Sequence, residues 1–329
     1  MKYYFAPLEG ITGYVYRNAH HKFFPGTDRY YTPFVAPNYT KHFKTKEKRD
    51  VAPENNAGVP LVPQVLSNKA DETLWAVEEL ARLGYEEVNL NLGCPMPTVA
   101  RKKKGSGLLK FTDELDAYLD GVFEGIAQRP SDLPPVRISV KTRLGTDSTQ
   151  EAEELVRIYN RYPISELIVH PRSQKDLYKG VPDREAFLLV WQNSVNPIAY
   201  NGNLNCVEDV SEIARVCAES GKQLDCVMVG RGFLADPSLV RQCQGGELIS
   251  ARELEAFHAE LYERLSETLP GSAVVLSHMK ELWYYIGKLF PEGGKCLKEI
   301  RRAGNRIQYE AAVRVLLSSC RIERPRSGF

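Results

Sequence analysis

Eight short β-rich runs recur along the first 240 or so residues, and most are followed by a stretch with helical periodicity. The pattern predicts strands at Tyr3–Leu8, Arg29–Val35, Leu61–Leu66, Glu87–Leu92, Arg137–Arg143, Glu166–His170, Pro197–Tyr200 and Cys226–Val229. Between them, 70–83, 113–127, 150–161, 184–191 and 207–218 carry apolar residues at helical spacing, such as Leu74, Val77, Leu80 and Ala81. Runs such as ELIVH and CVMVG are apolar on both faces, as in a parallel sheet covered on both sides. This α/β order fits a (β/α)8 TIM barrel, with a doubly wound open sheet as the rival because periodicity does not give strand order.

The strand signals stop near Ser250. Leu254, Phe257, Leu261 and Leu265 then recur at helical spacing, followed by Val275, Met279, Leu282, Ile286 and Phe290, and by Tyr309, Val313 and Leu316. These predict a C-terminal helical bundle. The Gly245-Gly246 turn divides a barrel domain, 1–245, from a helical domain, 246–329.

The 43 basic and 42 acidic residues nearly cancel, so net charge names no partner. From Lys280 onward, 11 basic residues face only 5 acidic ones. Seven cysteines, an odd number without a CxxC pair, suggest neither a disulfide framework nor a metal site. No apolar signal core opens the chain and no run is long enough to span a bilayer, so a cytoplasmic protein with reduced thiols is expected.

In a barrel, reactive groups gather at the C-terminal ends of the strands. Ala6 and Pro7, Gln64, Asn91 and Cys94, Lys141 and Arg143, His170 and Arg172, Asn201 and Gly202, and Gly230 with Arg231 all fall there. GRGFLA matches G-x-G-x-x-A but follows the last strand, where a dinucleotide fingerprint would open a βαβ unit. A barrel phosphate cradle is the better reading, with Gly230 and Gly232 bringing backbone N–H groups close and Arg231 adding charge. Lys141 inside an apolar strand needs an anion or acceptor. His170, flanked by Arg172 and Asn201, can donate to a cofactor oxygen or to phosphate. Gly93 and Pro95 break the strand around Cys94 and set its thiol at the rim, where it can serve as nucleophile or as general acid.

APLEGITGYVYR, VPQVL, NLNLGCPMPTVARKKKGSGLL, VKTRLG, VHPRSQKDLYKG, AYNGN and VMVGRG occur in this order. Together they resemble the tRNA-dihydrouridine synthases from about residue 3 to 240, and the helical tail fits that family's plan. The resemblance implies an FMN-binding barrel that reduces uridines in tRNA, with NADPH as the usual reductant, and a monomer without metal is expected. It implies that Ala6, Pro7 and Leu8 lie against the flavin and that Gln64 and Lys141 bond its polar edge. His170 would contact FMN, and Asn201, Gly202, Gly230 and Arg231 would hold its phosphate end. Asn91 would place the uracil and Cys94 would protonate C5, so the open choice between nucleophile and acid falls on the acid. The substrate base must leave its stack, at a cost of a few kcal/mol.

Cations are the candidates for RNA contact: Arg143 and Arg172 at the mouth, Arg101 and Lys104 in the loop after Cys94, and Lys295, Lys298, Arg301 and Arg302 on one helical side. Solvated charge is the alternative for both runs. Two departures from the family pattern are Gly13, where many members have aspartate, and Pro171 in HPR, where HGR is common; they suggest a divergent branch. A flavin barrel reductase acting on a free small molecule such as a pyrimidine would share the cofactor residues, but has no need of a basic helical tail. A non-catalytic RNA binder would not need the Gln64, Cys94, Lys141 and His170 set.

Overall fold

The computed structural model describes residues 1–130 and 133–327; the last two residues of the expected helical domain, 328 and 329, lie outside the described residues. Its strands are β1 (Lys2–Phe5), β2 (Arg29–Tyr31), β3 (Leu61–Val62), β4 (Gln64–Val65), β5 (Glu87–Leu92), β6 (Arg137–Arg143), β7 (Leu167–His170), β8 (Ile198–Tyr200) and β9 (Cys226–Val229). All pair in parallel, in the order β3-β2-β1-β9-β8-β7-β6-β5-β4. The run predicted as one strand over 61–66 is two, because Pro63 has no N–H to give the ladder. β3 pairs with β2 and β4 pairs with β5, so the short segment around Pro63 joins the two ends of the sheet. The barrel of the sequence reading is therefore present, with the third strand as its seam.

The helices are α1 (Tyr14–Phe23), α2 (Thr45–Val51), α3 (Ala70–Arg82), α4 (Pro97–Ala100), α5 (Thr112–Ala127), α6 (Ala152–Tyr159), α7 (Arg184–Asn193), α8 (Val207–Glu219), α9 (Arg231–Ala235) and α10 (Leu239–Cys243). The C-terminal unit is α11 (Ala251–Thr268), α12 (Ser272–Ile286), α13 (Gly294–Arg302) and α14 (Arg306–Ser319). α11 begins with a capping box in which Ser250 and Glu253 satisfy each other's backbone N–H groups.

Strand alternation sorts the side chains. Val88, Leu90 and Leu92, Ile138 and Val140 belong to the outer core under the helices. Tyr4, Ala6, Tyr31, Ile168, Ala199 and Met228 form a second, inner cluster. The floor of the barrel is ionic: Arg29 lies 3.1 Å from Glu87 and 3.3 Å from Glu166, and the Tyr4 hydroxyl donates to Glu166 at 3.0 Å. These carboxylates sit at the N-terminal strand ends, far along the axis from the rim.

The helical unit shares the outer core. Phe257 of α11 meets Tyr16 and Phe24 edge-on, with ring centroids 5.8 and 5.1 Å apart. The α1 helix behind this contact was not evident in YVYRNAHHKF, where no side chain caps its start. A carboxylate from elsewhere does the work: Asp50 of α2 accepts from the Tyr14 N–H at 2.7 Å and pairs with buried Arg17 at 3.2 Å. Arg17 also donates to the carbonyls of Thr12 and Asp50 and to Asn56 Oδ1.

Arg17→Met leaves Asp50 buried without its counter-charge, which costs about 3–5 kcal/mol. Urea unfolding followed by circular dichroism is expected to show a large drop in midpoint; an unchanged midpoint would refute the assignment.

Candidate functional site

The rim of the barrel is built on a directed chain of amides. Asn89 and Asn91 both point inward from β5. Asn91 Oδ1 accepts from the backbone N–H groups of Gly93 and Cys94 at 3.1 and 2.9 Å. Its Nδ2 donates to Gln64 Oε1 at 2.7 Å, Gln64 Nε2 donates to Asn89 Oδ1 at 2.8 Å, and Asn89 Nδ2 donates to Ser139 Oγ at 2.9 Å. Gln64 is wholly buried, and one hydrogen on its Nε2 is left over after the bond to Asn89.

Cys94 is gripped from its other side as well. Ser106 donates to its carbonyl oxygen through both N–H and Oγ, each at 3.0 Å. Gly105, with φ of +57°, passes so close that a Cβ there would stand 2.7 Å from that oxygen. The basic run just before it divides in two. Lys103 pairs with Glu114 and lies over the Phe111 ring, and Lys104 reaches buried Glu72 at 3.7 Å. Arg101 and Lys102 are exposed. Of the four cations in this run, Lys103 and Lys104 thus tie the loop to α5 and α3.

Arg143 braces the same corner. It is almost wholly buried and donates from Nε to the Gly93 carbonyl at 3.0 Å and from Nη1 to the Ser173 carbonyl at 2.8 Å. Burial pushes its pKa down to about 10. Lys141, one inward position below, has no hydrogen bond or ion pair among the described residues; burial, then Arg143, lowers its pKa to about 7. Burial also raises the Cys94 thiol, against smaller opposing effects of the Met96 backbone, Arg143 and Lys141.

The far side of the mouth is cationic. Arg172 is buried and donates to His170 Nε2 at 2.9 Å, to the Lys179 carbonyl at 3.1 Å and to Asn203 Oδ1 at 3.1 Å. A guanidinium cannot accept, so the imidazole carries its hydrogen on Nδ1. Burial and the four surrounding cations hold His170 neutral, well below its ordinary pKa. Asn203 also accepts from Arg231 at 3.0 Å. Asn201 Nδ2 is bonded to the Met228 carbonyl at 2.7 Å, which fixes the β8 end against β9. Gly232 is required by packing, since a Cβ there would stand 2.0 Å from the Leu204 carbonyl oxygen. Gly230 caps α9, Gly202 lies between Pro182 and Tyr200, and Ala6 is bonded through its N–H to Val229 in the ring.

The residues expected at the mouth are therefore brought together, while Lys295, Lys298, Arg301 and Arg302 lie exposed on α13 of the helical unit. Sequence reasoning missed Asn89, Ser139 and Asn203, although polar residues two apart in β5 and β6 mark the first two. It also missed Tyr178, whose ring centroid lies 5.4 Å from the Arg143 guanidinium, 5.8 Å from that of Arg231 and 6.4 Å from the His170 ring.

A thiol with a raised pKa is a poor nucleophile at neutral pH and a competent proton donor. Iodoacetamide labelling of Cys94, followed by peptide mass mapping, is expected to be slower than that of glutathione at pH 8 and to keep rising above pH 9. A rate that levels off below pH 8 would contradict the geometry.

The sequence profile of the dihydrouridine synthases matches residues 4–319. A relative from Pseudomonas syringae pv. tomato, named tRNA-dihydrouridine(16) synthase, is 29% identical over 90% of this chain and 93% of its own. One from Neisseria meningitidis serogroup B with the same name is 30% identical over 72% of this chain and 69% of its own. The tRNA-dihydrouridine synthase B of Pasteurella multocida is 25% identical over 86% and 78%.

Proposed function

The chain belongs to the dihydrouridine synthase family, and from that premise we propose that it reduces the C5=C6 bond of uridines in tRNA, using FMN and NADPH. The observation that supports this most is Cys94, a protonated thiol fixed at the mouth beside a lysine without a partner. Two relatives carry position 16 in their names, which makes that uridine the first to examine.

The residues present suit a flavin phosphate and ring. The Lys141 ammonium needs an acceptor, His170 Nδ1–H is a neutral donor, and Arg231 stands at the start of α9 with Gly230. Gln64 and Lys141 would hold the polar edge of the ring, His170 would contact FMN, and Arg231, Asn201, Gly202 and Gly230 would hold its phosphate end, with Ala6 to Leu8 against its face. When bound, the flavin supplies the hydride that goes to uracil C6.

The rest is done by side chains of the barrel. Addition at C6 leaves an electron pair on C5 and O4, and the Cys94 thiol gives its proton to C5. The thiolate left behind lies near Lys141 and Arg143, whose charges favour it, and it regains a proton from solvent before the next turnover. Arg143 and Asn91 keep the Cys94 backbone at a fixed height, from the Gly93 carbonyl on one side and the two N–H groups on the other. Arg172 acts through His170, holding its tautomer. Exposed Arg101, Lys295, Lys298 and Arg301 would make phosphate contacts with the RNA, which would make affinity fall with salt. The division into a barrel domain, 1–245, and a tRNA-binding helical domain, 246–329, belongs to the same reading.

Deletion of the gene followed by dihydrouridine mapping of total tRNA is expected to remove at least one modified position, restored by the wild-type gene. Cys94→Ala is expected to keep its flavin and tRNA binding and to lose most product; persistence of every site in the deletion strain, or wild-type turnover by Cys94→Ala, would defeat the proposal.

Lys141 gives a pH signature. In the free protein, with a pKa near 7, it is mostly neutral at pH 8. An electron-rich ring edge raises that pKa, so FMN binding at pH 8 takes up a proton. Calorimetry in two buffers of different ionisation enthalpy is expected to show this uptake, and Lys141→Met to abolish it.

A further inference from the structure

A cavity of about 510 Å³ lies between the barrel and the helical unit. One wall is the turn and first helical residues 10–16 with α2; the other is α11 and α12. Ile11, Val15, Leu261, Leu265 and Leu269 give it a largely apolar lining. It adjoins the mouth: Glu9, whose charge acts on the Cys94 thiol, pairs at 2.9 Å with Lys46, which lines the cavity.

The polar groups on it are of two kinds. Asp50 is held by Arg17 and the Tyr14 N–H, and Lys46 by Glu9. Arg49 of α2 has a free guanidinium, and His278 and Glu281 of α12 have free side chains, in that none makes a hydrogen bond or ion pair among the described residues. An unpaired cation thus lies on one wall and a carboxylate and an imidazole on the other, with apolar residues lining the cavity between. A nucleotide carries the complementary set. Its base is flat and suits the lining, its phosphate suits Arg49, and an N–H edge suits Glu281. Guanine offers a carboxylate two parallel donors, N1–H and the 2-amino group. Uracil offers one N–H flanked by carbonyls that a carboxylate repels.

Gly13 fits the same account. It lines the cavity, and as glycine it adds no side chain to the wall beside Asp50, whose Oδ1 a Cβ there would meet at an ordinary contact distance, 3.4 Å.

We propose that this cavity is a second nucleotide site, which receives an amino-bearing base of the RNA substrate, guanine foremost, close to the reduced uridine, with phosphate on Arg49 and the base edge on Glu281. The proposal rests on tRNA being the substrate.

The test uses the FMN-loaded protein, with guanosine and uridine 5′-monophosphates as probes in titration calorimetry or ligand-observed NMR, and KM for a tRNA transcript. Exposed Arg49→Ala and Glu281→Gln spare the core, and Leu265→Trp fills the cavity; retained flavin checks folding. GMP is expected to bind about tenfold tighter than UMP. Glu281→Gln should erase that preference, Leu265→Trp should abolish GMP binding, and each variant should raise KM for tRNA several-fold. Equal binding of both nucleotides, GMP binding that survives Leu265→Trp, or an unchanged KM in all three variants would overturn the site. Absence of dihydrouridine formation by the wild-type protein would instead defeat the functional reading, and the mononucleotide titrations would still decide the cavity.

Discussion

The position of the thiol depends on a one-way chain of hydrogen bonds through the barrel. The N–H groups of Gly93 and Cys94 can only donate, so Asn91 must turn its oxygen toward them. That places its nitrogen on Gln64 Oε1, which in turn sends Gln64 Nε2 to Asn89 and Asn89 Nδ2 to Ser139. No amide in the series can flip without leaving two groups of like polarity face to face, at about 1–3 kcal/mol for each unsatisfied group. Four side chains from three strands therefore carry a single orientation, and the backbone of Cys94 inherits it. The bonds from Ser106 to the Cys94 carbonyl close the clamp from the loop side.

Charge is sorted along the barrel axis. The carboxylates, Glu87 and Glu166, lie at the floor and are answered there by Arg29. Lys141, Arg143, Arg172 and Arg231 lie at the mouth, where each of the first three has its pKa lowered by burial and by at least one neighbouring cation. The mouth is thus electrostatically unfinished in the free chain. An anionic group bound there relieves the mutual repulsion, which is why a functional site can keep an arrangement that stability alone would disfavour. The brace made by Arg172, Asn203 and Arg231 keeps those cations apart in fixed directions while they wait for it.

Much of this was legible in the sequence for a physical reason. Parallel strands buried on both faces must be apolar, so ELIVH and CVMVG stand out, and a lysine or an asparagine within such a strand has to face the interior. Period two then marks Asn89 with Asn91, and Ser139 with Lys141 and Arg143. What stayed hidden depends on partners distant in the chain. α1 owes its cap to Asp50, 36 positions after Tyr14. The seam at Pro63 follows from which strand each half meets. Lys103 and Lys104 read as part of one cationic run, and only the positions of Glu114 and Glu72 separate them from Arg101 and Lys102.

The same separation decides what Cys94 can do. Two cations near a thiol would ordinarily lower its pKa and make a nucleophile of it. Here burial outweighs Arg143 and Lys141, and Glu9 adds to the burial. Lys141 contributes less than a full charge near neutral pH, because the same low-polarity surroundings lower its own pKa to about 7. A proton therefore stays on sulfur until a base on the substrate becomes strong enough to take it. In the proposed reaction C5 becomes such a base only after hydride reaches C6, so the environment of Cys94 orders the two events: reduction first, proton transfer second.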